Sequence, residues 1–290
     1  VMIACMSYIL LFVFQRPGNI LATLGALGLG AQRMLPLLQQ TYWSYSQIHG
    51  GKTSLKDVVK LLEQDDDSLS ELGDPLMFEK SISLKNMTYK YPGASQSVLK
   101  NISIEVDKGG KVGIIGDTGS GKSTLVDILM GLLSPESGSI KIDHVELSTP
   151  LDLARWRDKV SHVPQSIFLA DATIKENIAF GVDIADIDES RIKEVADLSC
   201  LGEFINNLPL GFETIIGENG VLISGGQRQR IGIARAWYSK AEVIVFDEAT
   251  SALDGRTEAK IIQGIESLDK NVTIFMIAHR ISTLKNCNSI

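Results

Sequence analysis

The chain begins with two long apolar runs, Val1–Phe14 and Asn19–Leu38, which are separated by a short polar turn. The second run is about as long as a helix that crosses a bilayer, and its Gly and Ala residues suit close helix contacts in lipid. The alternative is a hydrophobic hairpin buried in a soluble protein, which Arg33 favours because a charge at membrane depth is costly. Arg33 lies near one end of its run, within reach of the membrane surface, so the pattern predicts two membrane-spanning helices.

An amphipathic segment follows over residues 41–63. It carries Lys52, Lys56 and Lys60, whereas the turn between the two apolar runs carries only Arg16. Lys and Arg concentrate in the cytoplasmic segments of membrane proteins. The distribution of positive charge therefore predicts that the rest of the chain lies in the cytoplasm.

The next stretch, Gln64–Pro75, is polar and acidic, which is typical of a linker. Beyond it, short apolar segments alternate with helical patterns, as in an α/β domain. We therefore predict three parts: residues 1–63 as the C-terminal part of a transmembrane domain, a linker over 64–80, and a folded domain over 81–290.

Within the folded domain, the hydrophobic pattern distinguishes two kinds of strand. Alternating apolar residues predict antiparallel strands over 81–91 and 101–106. Continuous apolar runs predict buried strands of an α/β sheet over 111–116, 243–248 and 272–279, with mostly helical structure over 174–208. The first of these buried strands leads directly into a glycine-rich loop.

Composition narrows the function classes. The chain has 290 residues, of which 44% are hydrophobic, enough to fill at least one core. Its formal net charge of −7 argues against nucleic acid as a partner, because such binders are usually basic. Three widely spaced cysteines predict reduced thiols rather than a disulfide framework or a zinc site.

The glycine-rich loop has the spacing of a phosphate-binding loop, G-x-x-x-x-G-K-[ST]. Its glycines let backbone N–H groups turn towards phosphate oxygens, and its lysine reaches the β- and γ-phosphates of a nucleotide. The start of the following helix also favours anions. The predicted ATP-binding residues here are Gly116, Asp117, Thr118, Gly119, Ser120, Gly121, Lys122, Ser123 and Thr124.

Two adjacent carboxylates end one of the apolar strands. The hydroxyl of Ser123 can bind Mg²⁺, and Asp247 is placed to hold the same ion directly or through water. Glu248 is predicted to be the general base that positions the water attacking the γ-phosphate. A solvated acidic turn is the alternative, but adjacent carboxylates at a buried strand end are costly if they only fill space.

A second glycine-containing motif, Ser224–Gln227, reads SGGQ and precedes a helical run, which makes it an anion site without a lysine. With the phosphate loop, it is one of several motifs by which residues 81–290 resemble the nucleotide-binding domain of ATP-binding cassette (ABC) proteins. The others are Gln165 in HVPQ, FDE at Phe246–Glu248, SALD at Ser251–Asp254 and His279 in IAHR, all in the family's order.

The resemblance implies roles that the residues alone leave ambiguous. Tyr91 would stack on adenine, Gln165 would reach Mg²⁺ and the attacking water, and His279 would contact the γ-phosphate. The signature residues Ser224, Gly225, Gly226 and Gln227 would complete the ATP site of a partner domain, so that two domains enclose two ATP molecules. The implied fold is an α/β P-loop NTPase with an antiparallel β subdomain and a helical subdomain, preceded by the all-α end of a transmembrane domain.

Two further segments, Ile216–Gly220 and Asp171–Gly181, resemble exporters in which the membrane and nucleotide-binding parts share one chain. Residues 26–40 are similar to the last membrane helix of bacterial flippases for lipid-linked oligosaccharides or polysaccharides. We therefore predict a piece of a multi-pass protein of the cell (inner or plasma) membrane, with its nucleotide-binding domain in the cytoplasm.

We expect this protein to be an ATP hydrolase that uses ATP and Mg²⁺, contacts membrane lipid and pairs with a second copy of the chain. A heterodimer is the alternative assembly, and the sequence does not identify the transported substrate. A soluble ABC ATPase acting on nucleic acid or ribosomes, or a non-hydrolysing ATP-binding scaffold, are the alternative functions.

Overall fold

The computed structural model describes residues 8, 20–62, 74–250, 252–267, 271–278 and 284–290. The chain divides into two units, Val1–Ser68 and Leu69–Ile290. The linker predicted over 64–80 lies mostly outside the described residues, so its bounds stay a prediction.

In the first unit, one helix, α1, spans Ile20–Leu62 and includes Pro36. The second predicted span, apart from Asn19, and most of the amphipathic segment thus belong to one helix. Large apolar side chains are exposed along it, among them Leu35, Tyr42 and Trp43.

Among the helices that the structure describes, none combines the length and the apolar character needed to cross a membrane. The first predicted span, Val1–Phe14, lies outside the described residues except for Tyr8.

The second unit contains the predicted antiparallel sheet, whose strands follow the order β2-β1-β4-β5. The first two strands pair antiparallel, with Ser81 opposite Asp107 and Leu84 opposite Ile104. The strands are β1 (Ser81–Tyr89), β2 (Leu99–Asp107), β4 (Ser137–Ile142) and β5 (Val145–Glu146).

A second sheet is parallel, in the order β3-β8-β7-β6. Its strands are β3 (Lys111–Ile114), β6 (Val160–Val163), β7 (Val243–Asp247) and β8 (Thr273–Ile277). Strands β7 and β8 are buried almost throughout, as their continuous apolar runs predict. Because all four strands are parallel, the residues that follow β3, β6 and β7 meet at one edge of the sheet.

The helices of this unit include the predicted helical region. They are α2 (Lys122–Leu129), α3 (Pro150–Arg157), α4 (Ile174–Ile178), α5 (Glu189–Leu198), α6 (Gly202–Asn206), α7 (Gly225–Tyr238) and α8 (Gly255–Ser267). Short 3₁₀ turns occur at Ile184–Asp186, Gly211–Glu213 and Glu218–Gly220. The α/β fold with an antiparallel sheet and a helical part is confirmed.

Two apolar cores hold the unit together. One lies between the two sheets and α3, where Trp156 is fully buried, packs edge-on against Phe78 and donates its indole N–H to the Leu129 carbonyl over 2.7 Å. The other joins the parallel sheet to the helical part through α7, with Ile231 and Ile233 fully buried. The second core fixes α7 relative to the edge of the sheet that carries the candidate site.

Candidate functional site

The phosphate loop connects β3 to α2, and its backbone requires glycine. Gly119 and Gly121 have φ angles of 82° and 94°, in the left-handed region that glycine adopts without strain. A Cβ atom on Gly121 would lie 3.0 Å from side-chain atoms of both Val98 and Leu99. These constraints shape a concave loop in front of the first turn of α2, a cradle that fits a phosphate group.

Lys122 is the first residue of α2, and its amine folds back over this loop. The Nζ atom donates to the backbone carbonyls of Gly116 and Asp117 over 2.8 and 2.9 Å. Ser123 and Thr124 follow on the same turn. The lysine charge therefore lies where the loop would hold phosphate oxygens.

A cleft of about 460 Å³ brings half of the predicted site residues together. Its walls include Tyr91, Gln165 and Glu248. The remaining lining residues are Val98, Thr118, Gly119, Gly121, Lys122, Ser123 and Thr124. Residues that are up to 157 positions apart in the sequence thus meet around one space.

Tyr91 is held at the rim of this cleft by contacts at both ends of its ring. Its hydroxyl lies 3.1 Å from the Thr124 hydroxyl, within hydrogen-bonding distance. The Tyr89 ring packs edge-on against it, with 5.0 Å between ring centroids. The Tyr91 side chain remains 41% exposed, which leaves ring surface open to a planar ligand.

The two carboxylates lie at the end of β7. Asp247 is the last residue of the strand, and burial raises the pKa of its carboxyl, with His162 acting in the opposite direction and the neighbouring charge of Glu248 adding to the rise. A bound cation would relieve this cost, because it stabilises the charged carboxylate.

Glu248 has a φ angle of 50°, a conformation that costs about 1–2 kcal/mol for a residue with a Cβ atom. Its Oε2 atom accepts a hydrogen bond of 2.9 Å from the Gln165 side-chain amide. Strained backbone at a carboxylate in a cleft is an observation that points to function. Gln165 and Glu248, both predicted from the sequence, are therefore direct neighbours.

Among the described residues, no group of three or more His, Cys, Asp or Glu side chains is placed to hold a metal ion by itself. Mg²⁺ in nucleotide sites is typically bound by one or two protein oxygens together with water and substrate phosphates. The side-chain oxygens of Ser123, Asp247 and Gln165 are of the kind that binds Mg²⁺ in this way. When bound, the ion would neutralise negative charge on the phosphates.

The SGGQ motif forms the start of α7. Ser224 is the N-cap residue: its hydroxyl accepts from the Gln227 N–H, and the Gln227 side-chain oxygen accepts from the Ser224 N–H over 2.7 Å. Helix α7 begins at Gly225, two residues before the predicted helical run. The motif does not line the cleft around the phosphate loop, and Gly225 instead borders a separate cleft beside Gln165 and Arg228.

Three residues of the quoted motifs, Ser251, His279 and Arg280, lie outside the described residues, so the role of His279 stays a prediction. Sequence reasoning missed His162, which lies on β6 beside Asp247; burial lowers the pKa of its imidazole. It also missed Arg235, whose guanidinium contacts the segment that follows Gln165. His162 belongs to the quoted HVPQ motif and Arg235 to the helical run after SGGQ, but their placements depend on long-range packing, which a local pattern does not encode.

The chain is similar to known ABC proteins, in agreement with the motifs described above. The family model described as ABC transporter matches residues 99–251. An ATP-dependent lipid A-core flippase of Chromohalobacter salexigens is 35% identical over 280 residues, covering 97% of this chain and 47% of that protein. The mitochondrial ATP-binding cassette sub-family B member 10 of Mus musculus is 36% identical over 219 residues, covering 75% of this chain and 30% of that protein.

A solved structure, described as a bacterial Atm1-family ABC exporter with ATP bound, is also similar. It superimposes with a TM-score of 0.72 at 29% identity, covering 93% of this chain and 47% of that chain. The chain thus spans between 30% and 47% of the length of these three proteins.

Proposed function

Because the chain belongs to the ABC transporter family, we propose that it forms the ATP-hydrolysing part of an exporter, together with part of the preceding transmembrane domain. One observation carries the proposal: the phosphate loop, Gln165 and Glu248 line the same cleft. The similarity over most of this chain to an ATP-dependent flippase and to an ABC exporter structure supports it.

Each residue of the cleft has a chemical task in this proposal. Lys122 and the loop N–H groups would hold the β- and γ-phosphates of ATP, and the Tyr91 ring would stack on adenine. Ser123, Asp247 and Gln165 would hold Mg²⁺. Glu248 would accept a proton from the water that attacks the γ-phosphorus, while the bond between this phosphorus and the bridging oxygen breaks and ADP leaves.

The SGGQ motif belongs to a second subunit's site in this proposal. It lies outside its own chain's phosphate cleft, although the start of α7 offers backbone N–H groups to an anion. Two copies of the chain would therefore place each motif on the other's ATP. Because ATP would bind the closed pair more tightly than the open pair, binding and hydrolysis would drive a conformational change.

The transport step is proposed from the relatives. Several are named lipid A-core flippases, so we propose a lipid or lipid-linked glycan as the substrate class. The protein would act in the cell membrane, with the nucleotide-binding domain in the cytoplasm. Residues 20–38 of α1 would pack with further helices of the same protein. A homodimer is preferred over a heterodimer because the site motifs are intact.

The experiment for this proposal measures phosphate release from ATP by the purified protein in liposomes. We expect turnover to require Mg²⁺, to stop on addition of EDTA, and to rise when the liposomes contain a lipid-linked oligosaccharide or lipid A. Hydrolysis that persists in EDTA would contradict the site chemistry. Turnover indifferent to every glycolipid tested would contradict the substrate class while leaving the ATPase assignment standing.

A further inference from the structure

Helix α7 carries a row of residues that contacts two segments of its own chain, the one that follows Gln165 and the one that follows Glu248. Gln229, Gly232 and Arg235 are three residues apart, so they share one face of the helix. The same helix begins at the signature serine, Ser224. Its N-terminus and its side face therefore belong to one rigid element of 14 residues.

Gln229 and Gly232 hold α7 close to these two segments. The Gln229 side-chain oxygen accepts a 3.0 Å hydrogen bond from the backbone N–H of Ala252, four residues after Glu248. Gly232 has no room for a side chain, because a Cβ atom there would lie 2.5 Å from the Cδ1 atom of Ile167, two residues after Gln165.

Arg235 makes the most extensive contacts of the row. Its guanidinium donates to the backbone carbonyl of Asn177 over 2.9 Å and to that of Phe168 over 3.1 Å. It also lies over the Phe180 ring, 4.7 Å from the centroid. One planar, forked side chain thus joins both ends of the segment 168–180 to α7, which a lysine could not do with a single ammonium.

The segment itself is stiff where Arg235 contacts it. Asn177 is fully buried; its amide donates to the carbonyls of Ala170 and Thr173, and its Oδ1 atom accepts from the Ala170 N–H. The segment begins three residues after Gln165, whose amide contacts Glu248. A shift at Arg235 would therefore reach the Gln165 side chain through a short, well-connected piece of chain.

We propose that Arg235 is a positioning residue for ATP hydrolysis: by fixing segment 168–180 to α7, it holds Gln165 beside Glu248. The inference rests on the proposed function, since it assigns Arg235 to that reaction. Arg235 touches neither the phosphate loop nor any residue lining the phosphate cleft through the bonds described. Its contribution is to the hydrolytic step rather than to ATP binding.

The test compares Arg235→Lys with Arg191→Lys as a matched control. Arg191 is also partly buried and also donates to α7, at the backbone carbonyls of Trp237 and Tyr238, but it lies away from segment 168–180. We expect Arg235→Lys to lower kcat by about tenfold with an unchanged Kd for ATP. The reason is that a lysine ammonium cannot replace the guanidinium in donating to the carbonyls of both Phe168 and Asn177. Arg191→Lys is expected to leave both unchanged.

A double-mutant cycle separates positioning from general destabilisation. If Arg235 acts through Gln165, adding Arg235→Lys to Gln165→Ala lowers kcat little further, whereas independent effects would multiply. If Arg235→Lys does not fold, Phe180→Leu keeps the test open, because it removes only a half-exposed ring and is expected to lower kcat by about threefold.

Any of the following results would overturn the inference: an unchanged kcat in Arg235→Lys, an equal loss in the Arg191 control, or multiplicative effects in the cycle. In Phe180→Leu, a kcat equal to that of the wild type would overturn it as well. Wild-type hydrolysis that requires Glu248 establishes the proposed function independently. Failure of the Arg235 inference is therefore distinguishable from failure of the ATPase assignment.

Discussion

Glu248→Gln is expected to stop ATP hydrolysis while leaving ATP binding intact. The substitution keeps the size of the side chain and one oxygen that can accept from Gln165, but it removes the carboxylate that accepts a proton from water. Loss of a general base typically lowers kcat by about 10²- to 10⁴-fold. Because Glu248 borders the cleft but does not belong to the phosphate loop, the contacts that hold the nucleotide are expected to stay in place.

Two assays check this expectation on the same preparation: phosphate release for kcat, and equilibrium binding of a fluorescent ATP analogue for Kd. Glu203→Gln is the matched control, since Glu203 is an exposed carboxylate on α6 that does not line the cleft. A Glu248→Gln protein that hydrolyses ATP at the wild-type rate would show that another group acts as the base.

Lys122→Ala is expected to weaken ATP binding by about 100-fold, because the ammonium makes charge-assisted hydrogen bonds to two phosphates. In this structure the amine is held over the loop by the carbonyls of Gly116 and Asp117, so it is already close to its proposed position. The substitution removes the positive charge without filling the cradle.

The measurement is the Kd for ATP, with Lys85→Ala as the control for loss of an exposed lysine elsewhere. Thermal unfolding of both variants separates loss of binding from loss of fold. Unchanged affinity in a folded Lys122→Ala protein would mean that the phosphates bind somewhere else. The assignment of the whole cleft would then be wrong.

The phosphate loop could be predicted from the sequence because its chemistry is local. Eight consecutive residues, Gly116–Ser123, specify glycines at the turns and a lysine at the start of a helix, and the structure has that geometry. The alternating and continuous apolar runs likewise predicted the two kinds of strand. These signals depend on near neighbours, which a single sequence contains.

The relation between distant elements was not predictable in the same way. The order β3-β8-β7-β6 places a strand from residues 273–277 between two that precede it, which no local pattern encodes. The hydrogen bond between Gln165 and Glu248 and the contacts of Arg235 depend on that order. The roles of Tyr91 and Gln165 came only from family resemblance, because a lone Tyr or Gln has no distinctive spacing.

The central claim is that each ATP is held by the phosphate loop of one subunit and covered by the SGGQ motif of another. Within one chain, the motif does not line the phosphate cleft. Ser224 and Gln227 cap the start of α7, and a helix N-terminus favours an anion through the positive end of its dipole. A partner is therefore the proposed source of the second half of the site.

The most direct measurement compares the mass in solution of two proteins, Glu248→Gln and the double variant that also carries Ser224→Arg. Each is measured with and without ATP. The account predicts that ATP converts Glu248→Gln into a dimer in which the two phosphate sites are enclosed, that Ser224→Arg prevents this conversion, and that each separate subunit still binds ATP with unchanged Kd. Ser134→Arg, at an exposed serine outside both motifs, is expected to dimerise normally. If the Ser224→Arg protein formed the ATP-dependent dimer as readily as its parent, the shared site would be contradicted.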